Sequence, residues 1–299
     1  MGYDTIAQLM AQCEGRPERM PQVIYENEIR LTDRTKTEIY AELETRYAVM
    51  RLSAEKALHE PQKMVCGLIE GQAMRQQKYA AERGGISGTF FNRIMALALS
   101  GSEVNASMGR ICAAPTAGSC GIVPAVLVGL EEQGGWSKEK MLDALLVAGG
   151  IGAVITKNAT VAGAEGGCQA ECGTAAAMAA GAAAWLFGGT PEQVGDAAAI
   201  ALIHVMGLVC DPVAGLVQLP CSFRNASGAV NALISADLAL AGQTPGIPPD
   251  EVINAMYRVG RKLPMELRET ALGGMAAEPT ARAIAKNYLQ RTKQLKAMP

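Results

Sequence analysis

Aromatic residues are scarce, at 4% of the chain, and there are few bounded runs in which Val, Ile, Thr and aromatics alternate. The usual signals of strands and hairpins are therefore thin. A charge excess of one sign is missing too. Lys and Arg number 27 against 29 Asp and Glu, giving neither the basic face that nucleic acid needs nor a single-sign run suited to a polyanion. The first residues lack a basic segment followed by an apolar one, which argues against a secretory signal and for a cytoplasmic protein. The uncharged stretch 173–191 is mostly Ala and Gly, too weakly hydrophobic for a membrane span. Also absent are the C-x-x-C pairs of structural zinc sites and the compact cysteine runs of ferredoxins.

What is present is apolar material and helix punctuation. With 299 residues, 49% hydrophobic and 19% charged, the chain can bury a large core. Thr35 and Glu38 have capping-box spacing, and Thr190-Pro191-Glu192-Gln193 combines an N-cap, a proline at the first helical position and a second capping box. Pro249-Asp250-Glu251 opens another helix. Glycine pairs at 84–85, 134–135, 149–150, 166–167 and 273–274 read as breaks between helices, and no long polar linker marks a boundary. The reading is an all-α fold, a single helical domain over 1–299 with loops between helices. The Ala/Gly bias over 159–184 fits helices packed backbone to backbone.

Three loop-like segments carry the chemistry. The first, 114–121, is a Pro/Gly turn with the hydroxyls of Thr116 and Ser119 leading into an apolar run, so that free amides at a helix start could hold a carboxylate. The second, 156–173, contains Lys157-Asn158 and then Cys168 and Cys172, four apart and on one face if helical. In the third, 207–225, prolines pin Cys210 and Cys221 in irregular backbone. Cys168, Cys172, Cys210 and Cys221 together form a candidate metal site, although buried inert thiols would give the same pattern. Cys13, Cys66, Cys112 and Cys120 read as core packing. His59 reads as a surface residue before a helix break, and His204, in an apolar run, as a hydrogen-bonded interior residue.

The motifs GRICAAPTAGSCGIVPA (109–125), TKNA (156–159), GAEGGCQ (163–169), CDPVAGLVQLPC (210–221) with Arg224-Asn225, MYRVG (256–260) and RETALGGMA (268–276) resemble the iron-sulfur L-serine dehydratase α-chain family. The resemblance implies that Cys168, Cys210 and Cys221 ligate a [4Fe-4S] cluster, with Cys172 outside the ligand set. Three thiolates leave one iron open, as a Lewis-acid catalyst requires. It further implies elimination of water from L-serine, with the aminoacrylate product hydrolysing to pyruvate and ammonia. Thr116, Gly118, Ser119, Asn158, Arg224 and Asn225 then fall to substrate binding, and His204 and Lys157 to catalysis.

The chain departs from the family in three respects. Related enzymes carry a Glu-His-Asn triplet where Ile203 and Val205 flank His204 here. Related single-chain enzymes also have a further regulatory domain and some end in a cysteine tail, which implies a separate β subunit and leaves open whether the proton-abstracting base lies in this sequence. Two rival readings share the cluster: an iron-sulfur cysteine desulfidase, since soft and hard leaving groups both suit iron, and a non-catalytic redox sensor. A pyridoxal-phosphate enzyme would need a phosphate-cradling glycine loop, and no glycine run exceeds two.

Overall fold

The structure is a computed structural model that describes residues 2–296, with side chains to residue 290. Thirteen helices occupy the described residues: α1 (Ile6–Gln12), α2 (Met20–Thr32), α3 (Lys36–His59), α4 (Gln72–Arg83), α5 (Gly88–Ala106), α6 (Ile122–Gly134), α7 (Lys138–Asn158), the short α8 (Gly163–Gly166), α9 (Thr174–Leu186), α10 (Pro191–Ile203), α11 (Cys221–Leu240), α12 (Pro249–Lys262) and α13 (Pro279–Lys296). No strand forms among these residues, and one isolated bridge pairs Cys210 with Arg268. The all-α expectation is met.

The helix starts follow their sequence signals. Thr35 and Glu38 close a reciprocal capping box on α3, and Thr190 and Gln193 do the same on α10. Pro249 opens α12, and the Asp250 carboxylate that follows accepts the Ile6 and Ala7 amides at 2.8 and 3.0 Å. That carboxylate satisfies orphan donors at the start of α1, tying the N-terminal helix to α12.

α9 lies at the centre, packed by α7, α10, α11 and α6. All thirteen of its residues are buried, so it needs no amphipathic stripe. Alanine suits this position because it is the best helix former and lets neighbouring backbones approach closely. The core continues through Leu97, Ile122, Leu127, Met141 and Ile155.

The glycine pair 149–150 does not break a helix. α7 runs through it, and Ile24 packs where a side chain on Gly150 would stand. Tertiary packing outweighs the cost of glycine in a helix interior. Cys13 and Cys120 are core residues as expected, but Cys66 and Cys112 are part-exposed. His59 ends α3 and is exposed.

Candidate functional site

The chain leaves α7, forms the single turn α8, and then winds into a π turn, Gln169–Gly173, ahead of α9. A π turn is a local distortion that often accompanies function. Here it sets Cys168 and Cys172 with their sulfurs 3.3 Å apart and turns Glu171 toward the 114–121 loop. Buried Gln169 fixes the turn: its Nε2 donates to Gly166 O and Met256 O, and its Oε1 accepts the Gly207 amide at 2.8 Å.

Cys210 arrives on the loop after α10. Its amide donates to Leu267 O and its carbonyl accepts from Glu269 N, so residues 265–269 hold it from outside. The next residue, Asp211, is buried. Its Oδ1 accepts Arg224 Nη2 at 2.8 Å and its Oδ2 accepts the Met275 amide at 2.7 Å. Glycine is required at 274, where a Cβ would lie 2.3 Å from Asp211 Oδ2 and the backbone is left-handed, with φ +56. Cys221 is the first residue of α11, and Gln218 just before it reaches back to Val65 O and Leu68 N.

The first loop is clamped by Asn225, whose Oδ1 accepts the Gly121 amide at 2.8 Å while its Nδ2 donates to Gly118 O at 2.7 Å. Ser119 is fully buried and its hydroxyl stays within the loop, on Ala114 O and Thr116. Thr116 Oγ1 donates to Glu171 Oε1 at 2.9 Å. Glu171 Oε2 in turn lies 4.0 Å from Cys210 Sγ.

Thus Thr116, Gly118, Ser119, Cys168, Cys210, Cys221, Arg224 and Asn225 lie together, in three segments joined by hydrogen bonds. Arg224 and Asn225 act as braces: Arg224 Nη1 donates to Val209 O at 2.8 Å, and its positive charge stands beside Cys168. Lys157 and Asn158 are not brought to the cysteines. Lys157 pairs with Asp4 on the surface, and Asn158 Nδ2 donates to Asp4 O and Val154 O. Their position at the end of α7 points them at the N-terminal segment.

His204 is exposed at the end of α10 rather than interior, and it lines a cavity of about 460 Å³ with Cys172, Arg224 and Ser227. Its Nδ1 lies 2.6 Å from Asn231 Oδ1. Asn231 spends its Nδ2 on Ala201 O, so its oxygen faces the ring. This places the proton on Nδ1 and leaves Nε2 as an acceptor.

The electrostatics of the site are those of crowded, buried negative charge. Cys168 is drawn below the usual thiol range by its bond with Cys172 and by Arg224, against desolvation. Cys172 is driven well above that range by the same bond and by burial. Burial, with the charges of Cys168 and Glu171, raises Cys210 strongly and pushes Cys221 up to about 12. Burial also raises the Glu171 carboxyl.

No three His, Cys, Asp or Glu side chains among the described residues converge on a point as a single metal ion demands. A multi-iron cluster takes thiolates one per iron, so it does not require that convergence. The donor set fits such a group, because these thiols are soft, buried and free, and ionise together only beside a strong positive charge. Only glycine fits beside it at 163, where a Cβ would lie 3.0 Å from Cys210 Sγ and 2.8 Å from Glu171 Oε2.

A family model described as serine dehydratase alpha chain matches residues 18–276. The chain belongs to this family. It is similar to the L-serine dehydratase alpha chain of Peptoniphilus asaccharolyticus, at 48% identity over 96% of this chain and 98% of that one. An L-serine dehydratase of Escherichia coli, TdcG, is 37% identical over 92% of this chain and 61% of its own length. One from Streptomyces coelicolor is 38% identical over 77% of this chain and 51% of its own. The matched span contains all three site segments.

Glu171, Asp211, Gly163 and Glu269 escaped the sequence reading as site residues. Glu171 had a signal: it is the only charged residue between Glu165 and Glu192, and an isolated charge in an otherwise apolar run calls for a reason. Asp211 lay inside a recognised motif, but its partners, Arg224 and Met275, are visible only in three dimensions.

Proposed function

We propose that the chain is the α subunit of an iron-sulfur L-serine dehydratase, an ammonia-lyase converting L-serine to pyruvate and ammonia together with a separate β subunit. The observation that carries this reading is the gathering of Cys168, Cys210 and Cys221, all buried, around Glu171 and the Thr116 loop. Residues 1–299 act as one catalytic domain. The same reading takes the enzyme as cytoplasmic. No helix among the described residues is long and apolar enough to cross a membrane.

Cys168, Cys210 and Cys221 hold a [4Fe-4S] cluster, and Cys172 stands behind Cys168 as its hydrogen-bond partner. When bound, the cluster supplies a Lewis-acidic position that makes hydroxide a better leaving group. The protein's own part is positioning. Arg224 stabilises Cys168 as a thiolate and anchors the 209–211 loop. Asn225 holds the Gly118–Gly121 turn against α11, and Thr116 orients Glu171. Burial of the thiols excludes water, which strengthens each electrostatic contact with a bound substrate. His204 Nε2 is a proton acceptor on the neighbouring cavity, available to a group from the β subunit or the substrate. The net reaction removes water from C2 and C3 of serine and then exchanges the imine nitrogen for oxygen, with no change in redox state.

Anaerobic co-expression with a β chain, followed by iron and sulfide analysis and a serine-to-pyruvate assay, tests the reading. A full complement of iron without pyruvate would sink the dehydratase assignment. Cys210→Ser retaining both cluster and turnover would sink the ligand assignment.

A further inference from the structure

Among the described residues, Glu171 of the site makes no ion pair. Glu171 Oε1 accepts the Thr116 hydroxyl at 2.9 Å, and Oε2 has Cys210 Sγ at 4.0 Å. The basic group facing it, Arg224, is committed to Asp211 Oδ1 and Val209 O. A carboxylate offers about four acceptor positions, so most of the capacity of Glu171 is unfilled. Two glycines lie close against it, and a side chain at either would crowd the carboxylate: a Cβ on Gly118 would lie 3.0 Å from Oε1 and one on Gly163 2.8 Å from Oε2. Glu171 is half-buried, and the cost of desolvating its charge further as a ligand closes over it is offset when that ligand brings a cation.

We propose that Glu171 receives the α-ammonium of the amino-acid substrate and so makes the ammonium a condition of binding. The inference rests on the dehydratase reading. Glu171 then orients the α-carbon relative to the thiols on one side and the 116–121 loop on the other. Thr116 is its positioning partner, since a hydroxyl donating to Oε1 leaves Oε2 for the ligand. A hydroxy acid of the same length but without nitrogen has nothing to offer this carboxylate, and the site discriminates against it.

The test uses the anaerobically prepared enzyme with its β chain and two ligands, L-serine and 3-hydroxypropionate, which keeps the carboxylate and β-hydroxyl but lacks the ammonium. Binding is read from the change each ligand causes in the visible and electron-paramagnetic spectra of the iron-sulfur centre, alongside KM and kcat. The isosteric Glu171→Gln is expected to keep its iron, to weaken serine binding about 30-fold, as loss of a charged hydrogen bond implies, and to change 3-hydroxypropionate binding by less than about 3-fold by the same arithmetic. KM rises more than kcat falls. Thr116→Val moves serine binding in the same direction by a smaller factor, and decides the matter if the glutamine variant fails to retain iron.

Equal weakening of both ligands, or unchanged serine affinity, overturns the proposal. So does a loss of kcat with serine binding intact, which would make Glu171 a proton carrier. Wild-type enzyme that holds no iron or turns over no serine fails the dehydratase reading before any variant is made, and removes this inference with it.

Discussion

The central helix α9 and the cysteine site at its N-terminal end are neighbours built on opposite terms. α9 is nearly uniform: mostly alanine, with intrinsic helix preference and every residue buried. The site is assembled from irregular segments that have no shared periodicity and are held by a few buried polar side chains, Gln169, Asp211, Gln218 and Asn225 among them. In the core, stability is spread over many weak contacts, and a change is felt through volume. In the site it is concentrated in a few groups, each of which leaves unpaired partners when removed.

The sharpest way to break this contrast is Asp211→Ala. It strips the partner from the largely buried Arg224 and the acceptor from Met275 N, which should cost about 4 kcal/mol in denaturant unfolding and empty the site of iron. Retention of iron with unchanged stability would show that the loops are held otherwise.

Leu127→Ala, at a fully buried position of α6, should cost about 3 kcal/mol. It should leave the iron content of the folded fraction intact, because its loss is one of volume away from the clamps. Asn225→Ala should cost about 2 kcal/mol for its broken bonds and, unlike Leu127→Ala, raise KM for serine by loosening the 116–121 turn. Equal effects of the two variants on KM would erase the distinction between core and site.

The smallest effect lies in alkaline pH, at two cysteines outside the site. Burial pushes Cys120 up to about 12 and Cys13 up to about 11, against about 8.5 for an unfolded thiol. The folded state therefore favours the neutral thiol. Its contribution is complete below about pH 8.5 and shrinks as pH rises toward those folded values. Cys120→Ala should flatten this alkaline decline in thermal melts without altering iron content.

Much of the core was legible because its signals are local. Capping boxes at Thr35 and Thr190 and the proline at 249 act within one helical turn, and the structure shows helices starting there. The glycine pair at 149–150 misled for the complementary reason: whether glycine breaks a helix depends on what packs beside it, here Ile24 from a distant segment. The site was legible as a set of segments and less so as geometry. Cys168, Cys210, Cys221 and Thr116 could be named from motif context. That Arg224 and Asn225 brace loops, and that Lys157 turns to Asp4, depends on long-range pairings that no spacing encodes. Glu171 was visible as an isolated charge, but the thiol it faces comes from another segment.

The bridge from Cys210 to Arg268 and the bond from Asp211 to Met275 also order events during synthesis. The thiols at 168, 210 and 221 leave the ribosome before the residues that brace the 210 loop exist. A nascent chain halted after α11 lacks the backbone bonds that Leu267 and Glu269 make with Cys210 and the amide that Met275 gives to Asp211. The 210 loop thus takes its native backbone pairing from segments that are made after it.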